Sequence, residues 1–400
     1  MKVFKILTTL IISLVIPNLY SQPNVCELYT ITKQAEIDSF STLYPNCISA
    51  GALSISGPDI TSLEGLSQLT SVEHLSISNV PNLNGYAGLN NITYIYDLYL
   101  IGEIPNVAEF NSLSSIGNNL LISSTPTTSI QGFVFLESVG QGGIVIANNP
   151  NLVFISAFDY VTSIGGVEEP GNGLQIANNP NLELITGFDL LNNVNGPINS
   201  SGNNSLQNLD YLHSISSCKT GVTIEQNLTL QSISGLSNLT SIDGPLAIHT
   251  NLILNSISGI HNIDPNSISG LMISSMPMVD ICNYPNICEY LSDPDNPSYI
   301  SGVGGCESLQ TVLNTCVLNT TAWEDEDFSV YPNPVVDHLS IDAKGVGHIE
   351  IFNTLGQKVM DYSRNGEDDV LINMTNLDRG IYFIKMWSNS KHFTKKIIKS

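Results

Sequence analysis

Asp159 and Asp189 are the pair that spacing alone equips for chemistry. Each follows a copy of IANNPNL, Ile146–Leu152 and Ile176–Leu182, at the same distance and after matching residues, Ile155/Phe158 and Ile185/Phe188. The repeat predicts two carboxylates stacked on neighbouring turns, about 5 Å apart, the ordinary separation of paired strands. Carboxylates so close would share a proton, which serves acid–base chemistry, or share a cation. The alternative places both in solvent with a little mutual repulsion.

Aromatic rings are the second chemical resource. Tyr86, Tyr94, Tyr96 and Tyr99 fall within fourteen residues, and such rings stack on sugar faces or anchor protein interfaces. Tyr99 stands between the inward-reading Leu98 and Leu100, so strand alternation turns it outward, with Asp97 or its neighbours on the same side. The expected ligand patch is therefore Tyr86, Tyr94, Tyr96, Asp97 and Tyr99. Otherwise the tyrosines fill a wide turn of the repeat and satisfy their hydroxyls at its edge. His74, His213, His249 and His261 are dispersed at one per repeat or fewer and read as surface or turn residues.

No GxSxG elbow, HExxH, phosphate-binding loop, GxGxxG turn or calcium-type GGxGxD repeat occurs. Gly302–Gly305 lacks the strand–turn–helix setting that would give its glycines meaning. We assign no catalytic residue, metal or cofactor. Carboxylates assembled from separate turns of a coil leave no local motif, so a carbohydrate-active β-helix stays open as an alternative.

Seven cysteines follow Ser21. Cys26 and Cys47 precede the first repeat, while Cys282, Cys288, Cys306 and Cys316 follow the last. Disulfide-stapled caps over the ends of the array are the economical reading, their pairing left open. Metal binding lacks paired C-x2-C spacing and nearby histidines. Cys218 is left over as a buried thiol.

The elements that hold these residues form a repeat array. Leu53/Ile55, Leu75/Ile77, Leu98/Leu100, Leu120/Ile122, Ile144/Ile146, Leu174/Ile176, Val222/Ile224, Leu246/Ile248 and Leu271/Ile273 mark successive strands, with a weaker one near Ile198. After each strand the apolar residues keep a period of three, as in Leu182, Ile185, Phe188, Leu191 and Val194. A helix would rotate that stripe off one face, so short extended segments separated by bends are expected. Asn79, Asn118, Asn119, Asn148, Asn149, Asn178, Asn179, Asn203 and Asn204 fall at the bends, where Asn tolerates left-handed backbone. Stacked turns would set these amides above one another, which makes Asn148 and Asn178 structural. The fold class is mainly β: an irregular β-solenoid of about ten rungs, then a small antiparallel β-sandwich.

Charge divides the chain. Residues 22–327 hold two basic and 28 acidic residues, a balance of −26, whereas 328–400 hold nine and eight, a balance of +1. The acidic part has no arginine, which argues against nucleic acid, anionic lipid and sulfated glycan as partners; solubility of an edge-rich coil accounts for most of it. Residues 1–21 read as an export signal, with Lys2 and Lys5 before an apolar run too short to span a membrane. No other segment approaches 18 consecutive apolar residues, so the mature chain is expected to have no transmembrane segment. The array then covers 22–316, an acidic linker 317–327 (ending in TAWEDED), and alternating strands 328–400.

Residues 328–400 resemble the type A C-terminal sorting domain of the type IX secretion system of Bacteroidetes-type bacteria, through VYPNPVVDHLSI, IEIFNTLGQKV, LDRGIYFIKM and the lysine-rich KKIIKS end. The resemblance implies engagement of the type IX machinery, possible removal of the domain, and release or attachment at the cell surface. The repeats from about Ala52 to Ile273 resemble the receptor L-domain branch of leucine-rich-repeat-like solenoids through L-x-I-x-x-N-x-x-L and I-x-G-(F/L)-x-x-L-x-x-I. They depart from the commoner leucine-rich repeat in irregular length and in the period of three, which favours a helix-poor coil. That resemblance implies a binding or adhesion surface. The expected function is a secreted or cell-surface recognition or adhesion protein with an unidentified protein or glycan ligand; the alternatives are a polysaccharide lyase or hydrolase, or a structural surface spacer.

Overall fold

In a computed structural model, residues 25–26, 29–166, 171–319, 329–342, 348–354, 356–363, 370–388 and 391–400 are described. The expected export signal lies outside them, as does most of the expected linker. The chain divides into two compact units, Met1–Leu318 and Asn319–Ser400.

The first unit is a coil built on one parallel sheet of 17 strands. Its axis is a register of inward pairs. Leu53, Leu75, Leu98, Leu120, Ile144, Leu174, Ile198, Val222, Leu246 and Leu271 stand opposite one another in turn, each followed two residues later by Ile55, Ile77, Leu100, Ile122, Ile146, Ile176, Ser200, Ile224, Ile248 and Ile273. Ser200 is the polar step that weakened the signal near Ile198, and it is fully buried. Val25–Cys26 and Tyr29–Ile31 extend the sheet at its first end, both pairing with Ser49–Ser56, and Ser298–Ser301 extends it at the other. Parallel strands need a crossover connection, and here the rest of each turn of the coil supplies it.

A left-handed residue ends nearly every strand: Asn79, Gly102, Ser124, Asn148, Asn178, Gly202, Gln226, Thr250 and Ser275, with φ between 51° and 71°. The next residue turns inward. In five successive rungs it is a fully buried asparagine, Asn149, Asn179, Asn203, Asn227 and Asn251. Each side-chain oxygen from Asn179 to Asn251 accepts from the backbone N–H of the asparagine one rung before, at 3.0–3.2 Å. Their side-chain amides donate to Ile122, Ile146, Ile176, Ser200 and Ile224 carbonyls. The ladder thus satisfies backbone groups that the bend would otherwise strand in the core. Asn149 also accepts from the Thr125 N–H, which closes one end.

The period of three then brings Leu230, Ile233, Leu236, Leu239 and Ile242 into the core, through short 3-10 turns such as Ser234–Leu236. Gly235 packs so tightly that a methyl there would collide with the Leu209 carbonyl of the preceding rung. In four central rungs the 3-10 turn is replaced by a buried phenylalanine with left-handed backbone. Phe110, Phe133, Phe158 and Phe188 (φ 62–71°) stack at 5.1–5.3 Å, flanked by Tyr86 and Tyr211.

Both ends are closed by helices that the period-three pattern did not disclose. Gln34–Leu43 buries Ile37 and Phe40 beneath the first rung, and Pro285–Leu291 and Leu309–Asn319 lie beyond the last. Disulfides join Cys26 to Cys47, Cys282 to Cys306 and Cys288 to Cys316, while Cys218 is buried and free.

The second unit has two antiparallel sheets. Ser329–Tyr331, His338–Asp342 and Val370–Asn373 form one, and His348–Asn353, Lys358–Ser363, Gly380–Ser388 and Lys391–Lys399 the other. Leu339, Ile341 and Ile372 share one core with Ile349, Ile351 and Ile384, the arrangement of a small sandwich.

Candidate functional site

Three neighbouring strands, Ser71–Ser78, Tyr94–Ile101 and Ser115–Ser123, gather the tyrosine patch. Val72, Ile95 and Ile116 point inward in register, as do Leu75, Leu98 and Leu120. Between these rows the first two strands carry two residues and the third carries three, a bulge that shifts register at Ile95/Asp97. Strict alternation is broken there, so Glu73, His74, Tyr96, Asp97 and Asn118 crowd over one bend.

At its centre lies a directed chain of hydrogen bonds. The Gly142 N–H donates to the Asn118 side-chain oxygen at 2.9 Å, and the Asn118 amide donates to Asp97 Oδ1 at 2.8 Å. Asp97 Oδ2 stands 2.8 Å from His74 Nδ1. The Asp97 side chain is 7% exposed and that of His74 50%. A buried carboxylate with both oxygens engaged is a fixed anchor: it sets the plane of the imidazole and leaves Nε2 as the ring's open nitrogen. Tyr96 meets the imidazole edge-on, with centroids 5.7 Å apart. The Tyr94 hydroxyl and Tyr96 ring lie over Gly117, where any side chain would displace them. Tyr94 and Tyr96 are exposed. Desolvation, helped by Tyr96, Glu73 and Asp97, holds the Tyr94 phenol above its ordinary value, so it stays a neutral donor.

Two expected members move. Tyr86 is 1% exposed, its hydroxyl donates to the Pro105 carbonyl, and its ring packs at a tilt against Phe110. It belongs to the core, since it sits in the inward series Leu83, Tyr86, Leu89 and Ile92. Asp97 is not an open carboxylate beside a ring; it is buried and supports His74. Tyr99 is half-buried on the sheet face, opposite Ser76 and Leu121. Glu73, His74 and Asn118 are the residues that sequence reasoning did not bring into the patch. The patch offers two rings, an oriented imidazole and the exposed Glu73 on an open surface, a set suited to gripping a ligand by stacking and hydrogen bonds.

Asp159 and Asp189 do occupy equivalent positions on adjacent rungs, through the register of Phe154–Ser156 with Leu184–Thr186. Both are exposed, and neither joins a three-ligand group. Among the described residues, the group with three metal-type ligand atoms close together is His348, Glu350 and Asp361. There Lys358 Nζ already lies 2.9 Å from Glu350 and 2.6 Å from Asp361, so the two carboxylates have a cation supplied by the chain itself.

Residues 329–400 match the family model of the secretion system C-terminal sorting domain. This tail supports export through the type IX machinery and a location outside the cell or on its surface. No described helix is long and apolar enough to cross a membrane. Among curated proteins, the ulvan lyase NLR42 of Nonlabens ulvanivorans is 33% identical over 89 residues, which is 22% of this chain and 17% of that protein. The chain thus spans about a sixth of the curated relative it matches.

Proposed function

We propose that the protein is a non-enzymatic recognition or adhesion protein, exported to the cell exterior, that binds a protein or glycan through the outer face of its coil. We assign the coil to the leucine-rich-repeat-like, receptor L-domain kind. The observation that carries the reading is the pairing of exposed Tyr94 and Tyr96 with a His74 held by buried Asp97. Pre-oriented rings and one fixed polar group lower the ordering cost of binding. The tail bears on delivery alone.

A carbohydrate-active enzyme is the second reading, favoured by the likeness to a lyase and by the half-exposed His74 imidazole oriented by buried Asp97, a side chain of the type that transfers protons in catalysis. The likeness covers too little of the lyase to bring an active site with it, and the patch is open where catalysis needs a water-excluding cleft.

The test incubates the full chain with neutral and charged polysaccharides and with bacterial and host surface extracts, scoring retention and new reducing ends. Retention without new ends is expected. In the Tyr94→Ala/Tyr96→Ala variant affinity should fall by about 2 kcal/mol or more, roughly thirtyfold. New reducing ends would overturn the non-enzymatic reading, and unchanged affinity would remove the patch.

A further inference from the structure

An open groove of about 640 Å³ runs along the corner above the asparagine ladder. Asn148, Asn178 and Gln226 line it from the left-handed positions, and Pro150, Pro180 and Leu228 from two residues further on. Gly202, Asn204 and Thr250 complete it. Five consecutive rungs contribute, a length of roughly 19 Å at the usual strand spacing.

The chemistry of the lining is uniform. It holds no charged side chain, although the unit around it is strongly acidic. Asn178 donates to Asn148 Oδ1 at 3.3 Å. The Asn204 and Gln226 amides have no side-chain partner among the described residues, so each keeps donors and an acceptor for a ligand. Between the amides stand prolines and a leucine, 39% exposed, that present C–H surface. Amides alternating with small apolar patches match a polymer whose hydroxyls alternate with ring C–H faces. The ladder beneath fixes each corner through buried hydrogen bonds, so the lining is rigid before any ligand arrives.

We propose that this groove binds a single extended chain of a neutral polysaccharide, laid across the rungs from Asn148 to Thr250. An anionic polymer would meet the field of the acidic coil with no lysine or arginine in the lining to offset it. The assignment rests on the recognition reading above but places the glycan away from the tyrosine patch.

The test is affinity electrophoresis of the full chain in gels containing soluble β-glucan, mannan or xylan, with polygalacturonate as the anionic control. A neutral polymer is expected to retard the protein and polygalacturonate to leave it unaffected. Asn148→Gly/Asn178→Gly/Gln226→Gly removes three amides while keeping left-handed backbone, as Gly202 does in the same column. Its dissociation constant should rise about tenfold or more. If its melting temperature drops, Leu228→Glu at an exposed position decides, with the same loss expected. Absence of retardation by every neutral polymer, or equal retardation of the groove variants and the wild type, would overturn the groove. Retardation lost only in Tyr94→Ala/Tyr96→Ala would overturn it while sparing the recognition reading, which new reducing ends alone would remove.

Discussion

Cys218 shows what the coil does to a single polar group. Its sulfur lies 3.6 Å from the Gly221 carbonyl and 3.9 Å from that of Ile242, inside a rung that excludes water. Burial, with Asp243 nearby, pushes the thiol up to about 12, and burial likewise pushes the Tyr211 phenol up to about 12. A thiol kept protonated is neither nucleophile nor ready disulfide partner. Ellman's reagent at pH 8 should therefore find no thiol in the native protein and one after denaturation without reductant; a native reaction would contradict the burial. The sign for stability follows. Both groups hold their proton more tightly folded than unfolded, so their contribution is fully present below the unfolded values, pH 9 for the thiol and 10 for the phenol, and is lost as pH rises toward 12. Each costs about 1.4 kcal/mol per pH unit in that window. The melting temperature should fall between pH 9 and 11 in the wild type and less steeply in Cys218→Ala; equal slopes would show that the thiol does not titrate as assigned.

The asparagine ladder is where an element, as opposed to a residue, is stabilised. Asn227 accepts from the Asn203 N–H at 3.0 Å and donates to the Ser200 carbonyl at 2.9 Å, while its own N–H rests on Asn251. Asn227→Ala orphans two buried backbone groups and should cost about 2–5 kcal/mol, whereas Asn148→Gly, one residue outside the ladder, should cost under about 1 kcal/mol. Denaturant midpoints of the two variants check this, and equal values would mean that water replaces the missing amide. The bends were legible where Asn79, Asn148 and Asn178 take the left-handed corner, but Ser124, Gln226, Thr250 and Ser275 hold other corners, and Asn118 and Asn119, expected at a bend, lie inside the strand Ser115–Ser123. The strands were legible because each buries a Leu-x-Ile pair. Tyr86 was misplaced because its nearness in sequence to Tyr94, Tyr96 and Tyr99 put it in the patch, whereas Leu83, Leu89 and Ile92 carry its inward period of three. The His74–Asp97 pair was invisible for a related reason: 23 residues separate its members, and only the rung register brings them together. The Gln34–Leu43 helix had a local signal, the Glu36 carboxylate accepting from the Thr32 and Lys33 N–H groups, but the repeat pattern does not extend to it.

For the whole molecule, a coil in which each rung touches only its neighbours loses structure from its ends inward. The terminal strands Tyr29–Ile31 and Ser298–Ser301 each have one paired edge inside the sheet, and they are the places where the chain adds cross-links. The bonds Cys26–Cys47, Cys282–Cys306 and Cys288–Cys316 close loops of 21, 24 and 28 residues by sequence separation. On the chain-entropy account each contributes about 3–4 kcal/mol by restricting the unfolded chain. Aromatic packing of Tyr29, Phe40 and Tyr44, at centroid separations of 4.6–5.9 Å, backs the first end; the second relies on two disulfides and two helices. Reduction should accordingly leave the rungs from Leu120 to Ile248 protected, because the ladder and the stacked phenylalanines lie there, while protection is lost first at Ser298–Ser301 and Ile268–Ser274. Hydrogen exchange by mass spectrometry with and without reductant reads this directly. Uniform loss along the coil would mean that the rungs fold as one cooperative unit and that the caps stabilise all of it equally. Loss confined to the ends would instead leave the tyrosine patch and the amide groove, both set in from the caps, able to bind after reduction.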